Sequence, residues 1–241
     1  AFNGNPNLSF QLPEEVSLWG GFPATGNPGI NDRDPNIYTT ILSGDLNQDD
    51  QNDFNNMGDN TAIILKAANI ENQSINGLLF TGATEKAIEH ISTRDSSVLR
   101  LTDIRFLFNV AAIENKSDSL PLQMEILNGE FLDFQNYAVR NLNASLSLRD
   151  CFVQNGNTGI EYAVNTAENP SLGLVNTELR DLSQGISFMA LSSAELNIDS
   201  SRFYRNKGLG ALMVFYQQGA ESVVRGKQSI FRDNESTDGA A

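Results

Sequence analysis

Apolar and polar residues alternate along this chain in short runs, and none keeps the three-to-four spacing of a long helix. Aliphatic pairs two positions apart recur: Leu99 and Leu101, Met124 and Ile126, Leu172 and Leu174, Leu196 and Ile198. A period of two belongs to a strand with one buried face. Each pair stands seven and five residues before a large apolar residue, and aligning the chain on those anchors brings out a repeat. The anchors are Phe80, Phe106, Phe131, Phe152, Leu179, Phe203 and Phe231. Leu146 and Leu148 fit the same frame with a slip of one.

Two further features join the frame. Asn follows the anchor by three at Asn109, Asn155, Asn206 and Asn234. Asn tolerates left-handed backbone, so these positions read as a recurring turn. Six to eight residues past the anchor, a small residue precedes an apolar one: Ala87-Ile88, Ala112-Ile113, Ala138-Val139, Gly159-Ile160, Gly185-Ile186, Ala211-Leu212 and Gly239-Ala240. A period of about 25 residues, without a helix, excludes leucine-rich repeats and propeller blades. It predicts an all-β protein, a right-handed parallel β-helix with three strands to a coil, each pairing with its equivalent one coil on. Seven such coils make a rod of about 35 Å at the spacing of paired strands. Ragged repeat lengths follow because insertions leave at the turns. The coils take up 61-241; residues 1-60 precede them as an N-terminal capping and first-coil region with an acidic loop.

The stretch "SFQLPEEVSLWGGFPATGNPGINDRDPNIYTTILSGDLN" carries a resemblance. Its Trp19-Gly20-Gly21-Phe22 turn, Arg33-Asp34 loop and Thr40 to Asp45 strand resemble the first coils of secreted bacterial β-helix proteins of the pectin-lyase-like superfamily. The segments with Asn three residues after Phe, "FYRNKGLGALMV" above all, resemble the repeats of polymorphic outer-membrane proteins, without their strict GGA triplet. The resemblance implies the fold and an extracellular or outer-cell-surface location. It implies no particular activity, because this fold hosts many.

Charge narrows the partners. Thirty Asp and Glu stand against sixteen Lys and Arg, a net of −14. Such a surface repels phosphate backbones and anionic lipid, which argues against nucleic acid as a partner. No apolar run is long enough for a membrane span. The single Cys151 cannot form an internal disulfide and reads as a small core residue. His90, with no Cys or second His near it, reads as a satisfied strand or surface residue and not as a ligand.

Candidate chemistry is confined to a few places. In "SGDLNQDDQNDF", Asp45, Asn47 and Asp49 alternate like the opening ligands of a calcium loop, with Asp50 and Asp53 close behind. The sixth position is Asp50 where an EF-hand needs Gly, and the twelfth is Asn56 where it needs Glu, so the EF-hand pattern fails. The run reads either as a calcium loop of another kind or as a solvated insertion. No cofactor other than calcium is implied. Asp150, Asp181 and Asp233 supply carboxylates for a lyase or hydrolase, but only Asp181 and Asp233 share a phase, two coils apart. Tyr137, Tyr162 and Tyr204 are candidates for a sugar platform.

The expected function is therefore a non-enzymatic exported or cell-surface protein, acting as a scaffold, adhesin or glycan- or partner-binding module. The alternative is a carbohydrate-active enzyme, lyase or hydrolase. A β-helix leaves unpaired strand edges at both ends, so the chain is expected to belong to a longer chain or an assembly. A protein partner or further chain would then stack on the open ends.

Overall fold

The computed structural model describes residues 5–51, 54–93, 97–117, 122–165, 169–217 and 221–237. The chain winds into a parallel β-solenoid of about six turns, each of about 26 residues. Strand takes up 60% of it and helix 3%, so the absence of a helical layer expected from the hydrophobic pattern holds. Among the described residues the helical part is two single 3-10 turns, Ile30–Asp32 and Met57–Asp59.

Register decides which residues share a column. Phe80 pairs with Phe106, Phe106 with Phe131, Phe131 with Val153, Val153 with Leu179, Leu179 with Phe203, and Phe203 with Phe231. The anchor between Phe131 and Leu179 is thus Val153 and not Phe152. Strand alternation turns Phe152 outward, where the Arg180 guanidinium lies 4.6 Å from its ring centroid. Counted from Val153, Leu146 and Leu148 stand seven and five residues before the anchor, and the slip of one disappears. Inside, Phe80, Phe106 and Phe131 stack at centroid separations of 5.4 and 4.9 Å, and Phe203 and Phe231 at 4.5 Å.

Two left-handed corners bracket every anchor strand. They fall three residues before the anchor, as at Asp103, Asn128, Asp150 and Asn176, and two after it, as at Asp133, Asn155, Asp181 and Asp233. Asp and Asn recur there because their side chains make left-handed backbone less costly. The Asn series therefore divides. Asn155 is itself a corner, whereas Asn109, Asn206 and Asn234 lie one residue past theirs and turn inward. Asn109 donates to Phe80 O at 3.0 Å and accepts from Ala83 N at 3.0 Å; Asn206 treats Leu179 O and Leu182 N the same way. These amides satisfy backbone groups where the chain bends away from its ladder. The turn expected from sequence is there, but only Asn155 occupies its left-handed position.

The small-apolar pairs keep register from Ala87-Ile88 to Ala211-Leu212; Gly239-Ala240 lies outside the described residues. Smallness is steric. A Cβ at Gly185 would stand 2.3 Å from Ala211 O, the carbonyl of the next coil.

The N-terminal stretch forms the first coil. Phe10–Gln11, Leu18–Trp19 and Thr40–Ser43 pair with the next coil through Leu65, Ile75 and Phe80. Between them, Gly21 turns at φ 87°, its carbonyl accepting from Asp34 N at 2.7 Å. Arg33 contacts Gly20 O and Asn76 Oδ1 and lies over the Trp19 ring. The Trp19-Gly20-Gly21-Phe22 turn and the Arg33-Asp34 loop are thus a clamp on the first coil, and they join the following coils in one ladder.

A polar column runs inside the stack beside the apolar ones. His90, Asn115 and Asn141 pair in register and are fully buried. Asn141 donates to Ala144 O at 2.6 Å and accepts from Asn115 Nδ2 at 2.5 Å, and Asn115 Oδ1 faces His90 Nδ1 at 2.8 Å. Because a carbonyl ends the chain, each amide has one orientation, and His90 Nδ1 carries the hydrogen. His90 Nε2 faces Ser97 Oγ at 3.3 Å. His90 is a satisfied core residue, as one of its two sequence readings had it. Burial lowers its pKa to about 4.

Two predictions follow from these columns. Phe106→Ala opens a cavity in the stack and should cost about 3–5 kcal/mol in denaturant unfolding. Phe152→Ala, on the outer face, should cost about 1 kcal/mol or less; equal losses would contradict the assigned column. His90 titrates lower folded than unfolded, so its contribution is intact above the unfolded value near pH 6.5. As pH falls toward 4 the unfolded chain takes up a proton that the folded chain refuses, removing about 3 kcal/mol. His90→Asn, which extends the Asn column, should flatten unfolding free energy across that interval.

Candidate functional site

The acidic loop leaves the first coil directly after Thr40–Ser43, and short side-chain-to-backbone bonds shape it. Asp45 Oδ1 accepts from Gln48 N at 2.6 Å and Asp45 Oδ2 from Asp50 N at 3.3 Å. Asn47 Oδ1 turns back onto Asp49 N at 3.1 Å. The loop thereby gathers Asp45, Asp49 and Asp50, each offering a carboxylate oxygen within 4.8 Å of the others. Asp53 lies outside the described residues. Of the sequence candidates, three carboxylates converge and Asn47 serves the turn.

Asp50 sits deepest. Its Oδ2 accepts from Asn60 Nδ2 at 2.5 Å, and the same Asn60 amide donates to Gly82 O at 2.8 Å. Its Oδ1 is buried without a hydrogen-bond partner. Burial raises the Asp50 pKa above the usual carboxylate value, the Asn60 hydrogen bond opposes this, and Asp45, Asp49 and Asp59 raise it further. Three hard oxygen donors and one orphaned carboxylate oxygen are the donor chemistry that calcium takes. Asn60 escaped the sequence reading. It stands ten residues from Asp50, and only the stacking of Gly82 beneath the loop brings the two together.

The other candidates are spread through the solenoid's own pairing. Asp181 is gripped by Arg205 through two contacts of 2.7 Å, which hold its pKa below the usual value. Arg205 stands in the corner column between Asp181 and Asp233, so the two carboxylates expected to share a phase are separated by a guanidinium. Asp150 occupies the other corner column, where it accepts from Asn176 Nδ2 at 2.6 Å. No pair among these three faces a common space.

The tyrosine platform does not form. Tyr162 points inward in the His90–Asn115–Asn141 column and stacks on Phe188 at 5.2 Å, fully buried. Tyr137 is half-buried between Glu114 and Arg140, and Tyr204 lies on a different strand of the coil. Tyr162 stands two residues past Ile160, the inward member of its small-apolar pair, so alternation from Ile160 turns it inward. Cys151 is buried near Ile126 O and Arg149 O, and burial pushes its thiol up to about 12. It is the core residue that sequence indicated.

Together these features define a class, the parallel β-solenoids. No family model matches the chain, and no curated protein or solved structure matches it significantly. Among the described residues no helix is long and apolar enough to cross a membrane.

The loop's electrostatics are testable. In chelator at pH 7, Asp50→Asn should raise the melting temperature by about 2 °C, since one of three converging charges is gone. The raised Asp50 pKa means that folding favours the protonated form, so the advantage of Asn should vanish as pH falls below the carboxylate range. Melting curves at pH 7 and pH 4 check both signs.

Proposed function

We propose that this chain is a non-enzymatic scaffold of the exported or cell-surface kind, working through its faces and ends as an adhesin or a glycan- or partner-binding module. The observation that supports the reading most is the use made of charged side chains. They link neighbouring coils: Arg100 with Glu125 at 2.8 Å, Arg105 with Glu130 at 2.8 Å, Lys86 with Glu114 at 2.9 Å, and Arg140 with Glu161 at 3.0 Å. A lyase base or a hydrolase acid needs a carboxylate or cation free to exchange a proton with substrate. Asp181, the best placed of the carboxylates, is held ionised by Arg205.

The resemblance of residues 9–47 to secreted pectin-lyase-like proteins supports export, and its clamp of Trp19, Gly20 and Arg33 supports a first coil at that end. In this reading the acidic loop is a calcium-stabilised excursion of the scaffold, held by Asp45, Asp49 and Asp50.

A degradation screen over uronic-acid and neutral polysaccharides, with calcium and with chelator, separates the scaffold from the enzyme. The expected result is no release of unsaturated or reducing ends in either condition. Turnover that Asp181→Asn or Asp233→Asn abolishes would replace the scaffold reading with a carbohydrate-active enzyme.

A further inference from the structure

The acidic loop reaches across three coils. Beneath it lies a hollow of about 180 Å³, walled on the coil side by Ser43 of the first coil, Thr81 of the second and Phe108 of the third. The loop supplies Asp45, Asp50, Phe54 and Met57. One corner column changes its residues where the loop passes. In later coils it carries Asp133, Asn155, Asp181, Arg205 and Asp233, but here it carries Gly82 and Phe108. A Cβ at Gly82 would stand 3.1 Å from both Asp45 N and Asp50 Oδ2, so that corner is bare where the loop docks. The Phe108 ring meets the Phe54 ring edge to face, with centroids 6.0 Å apart and planes at 79°. The two rings are thus adjacent walls of the hollow, set nearly at right angles.

Two oxygens at the Asp50 wall lack a donor among the described residues. Asp50 Oδ1 is buried without a partner, and so is Oδ1 of Asn60, a residue only 2% exposed. Asn60 Nδ2 donates to both Asp50 Oδ2 and Gly82 O, which fixes the end of the amide that is oxygen. Both orphans are therefore acceptors, on head groups in direct contact, and they call for a donor or a cation. Calcium takes six to eight oxygen ligands, and the Phe54, Met57 and Phe108 side of the hollow offers none. A primary alkylammonium suits both sides. It brings three N–H donors to the oxygens, and its charge and carbon chain lie against the rings and the thioether. A quaternary ammonium has the charge and the alkyl surface but no N–H. The net charge of −14 concentrates such cations at this surface.

We propose that the hollow under the acidic loop binds a primary alkylammonium group, as carried by a lysine side chain or a small free amine, with Asp45 and Asp50 as its counter-charges. This names a ligand class for the binding-module reading and rests on it. Calcium would draw on the same Asp45 and Asp50, so each cation excludes the other and calcium releases the amine.

Titration of the 241-residue chain with butylammonium, followed by NMR in chelator at pH 7, tests this. The Met57 methyl and the Phe54 and Phe108 ring signals should shift saturably, with a dissociation constant on the order of 1 mM, as suits so small a ligand. Tetramethylammonium at the same concentrations should leave them in place. Phe108→Asn installs a residue type of the later corners and removes one ring; melting establishes that it folds as the wild type does. It should weaken amine binding about tenfold, and Asp50→Asn by a similar factor. Calcium should displace butylammonium from the wild type, and should itself bind Phe108→Asn as it binds the wild type, because it needs only the carboxylates. Nα-acetyl-lysine amide separates the two sources. Binding like that of butylammonium assigns the site to a partner's side chain, and binding of butylammonium alone assigns it to a free amine. No saturable shift with butylammonium would overturn the proposal, as would equal binding of tetramethylammonium or full binding by Phe108→Asn. A chain that takes calcium but no amine overturns it while leaving the calcium loop in place. Failure of the scaffold reading would show instead in the degradation screen.

Discussion

A single spacing governs this molecule. Each coil lies one strand separation, about 4.8 Å, from the next, so a side chain's nearest neighbours are its own equivalents in the coils above and below. Any property placed at one position is therefore multiplied along the axis. Apolar positions profit directly: Phe80, Phe106 and Phe131 stack face to face, gaining dispersion contact without needing a second layer to cover them. Volume has to be balanced within the column, and Phe134 over Gly156 shows how. The ring fills the space where a Gly156 Cβ would stand, 2.0 Å from its nearest atom.

The same spacing penalises repeated charge. Two carboxylates at one strand separation repel, yet left-handed corners favour Asp and Asn in every coil. The corner columns reconcile the two demands by alternating an acid with a donor. Asn128 donates to Asp103 at 3.0 Å, Asn176 to Asp150 at 2.6 Å, Asn155 to Asp133 at 3.1 Å, and Arg205 grips Asp181. The outer faces set Arg100 against Glu125 and Arg105 against Glu130, and where Glu89 and Glu114 stand in register Lys86 binds both. Asp150, Asp181 and Asp233, scattered along the sequence, are members of this alternation. The acidic loop escapes it because it is an excursion, and there Asp45, Asp49 and Asp50 meet with no donor of equal charge between them.

Much of this was legible without coordinates, because a solenoid writes its columns into the chain at a nearly fixed interval. Six of the seven anchors, the aliphatic pairs before them and the described small-apolar pairs after them fall where the period puts them. The misplacement at Phe152 has a definite cause. An aromatic ring next to a smaller Val attracts the alignment, although alternation alone decides which of two neighbours faces inward. That shift of one carried Asn155 into the wrong series. The loop site was legible only as composition. Asp50 meets Asn60 and Gly82 through an excursion and a coil contact, and no periodic signal encodes either.

The polar column of His90, Asn115 and Asn141 shows the limit of stacking like on like. A single buried amide would need partners from the backbone, but amides in successive coils can serve one another, provided that the chain of bonds ends on a group that only accepts or only donates. Ala144 O closes one end. At the other end His90 donates from Nδ1 to Asn115 Oδ1, as the amides below it donate from Nδ2, and its ring reaches on to Ser97 Oγ at 3.3 Å. Histidine therefore belongs where the ladder meets Ser97, and Tyr162, one coil beyond Asn141, ends the polar run by returning the column to ring stacking on Phe188. The column's polar stretch has a defined start and stop, so it pins register among coils whose apolar columns would tolerate a slip. In a fold made of near-equivalent coils, that is the information the hydrophobic pattern cannot supply.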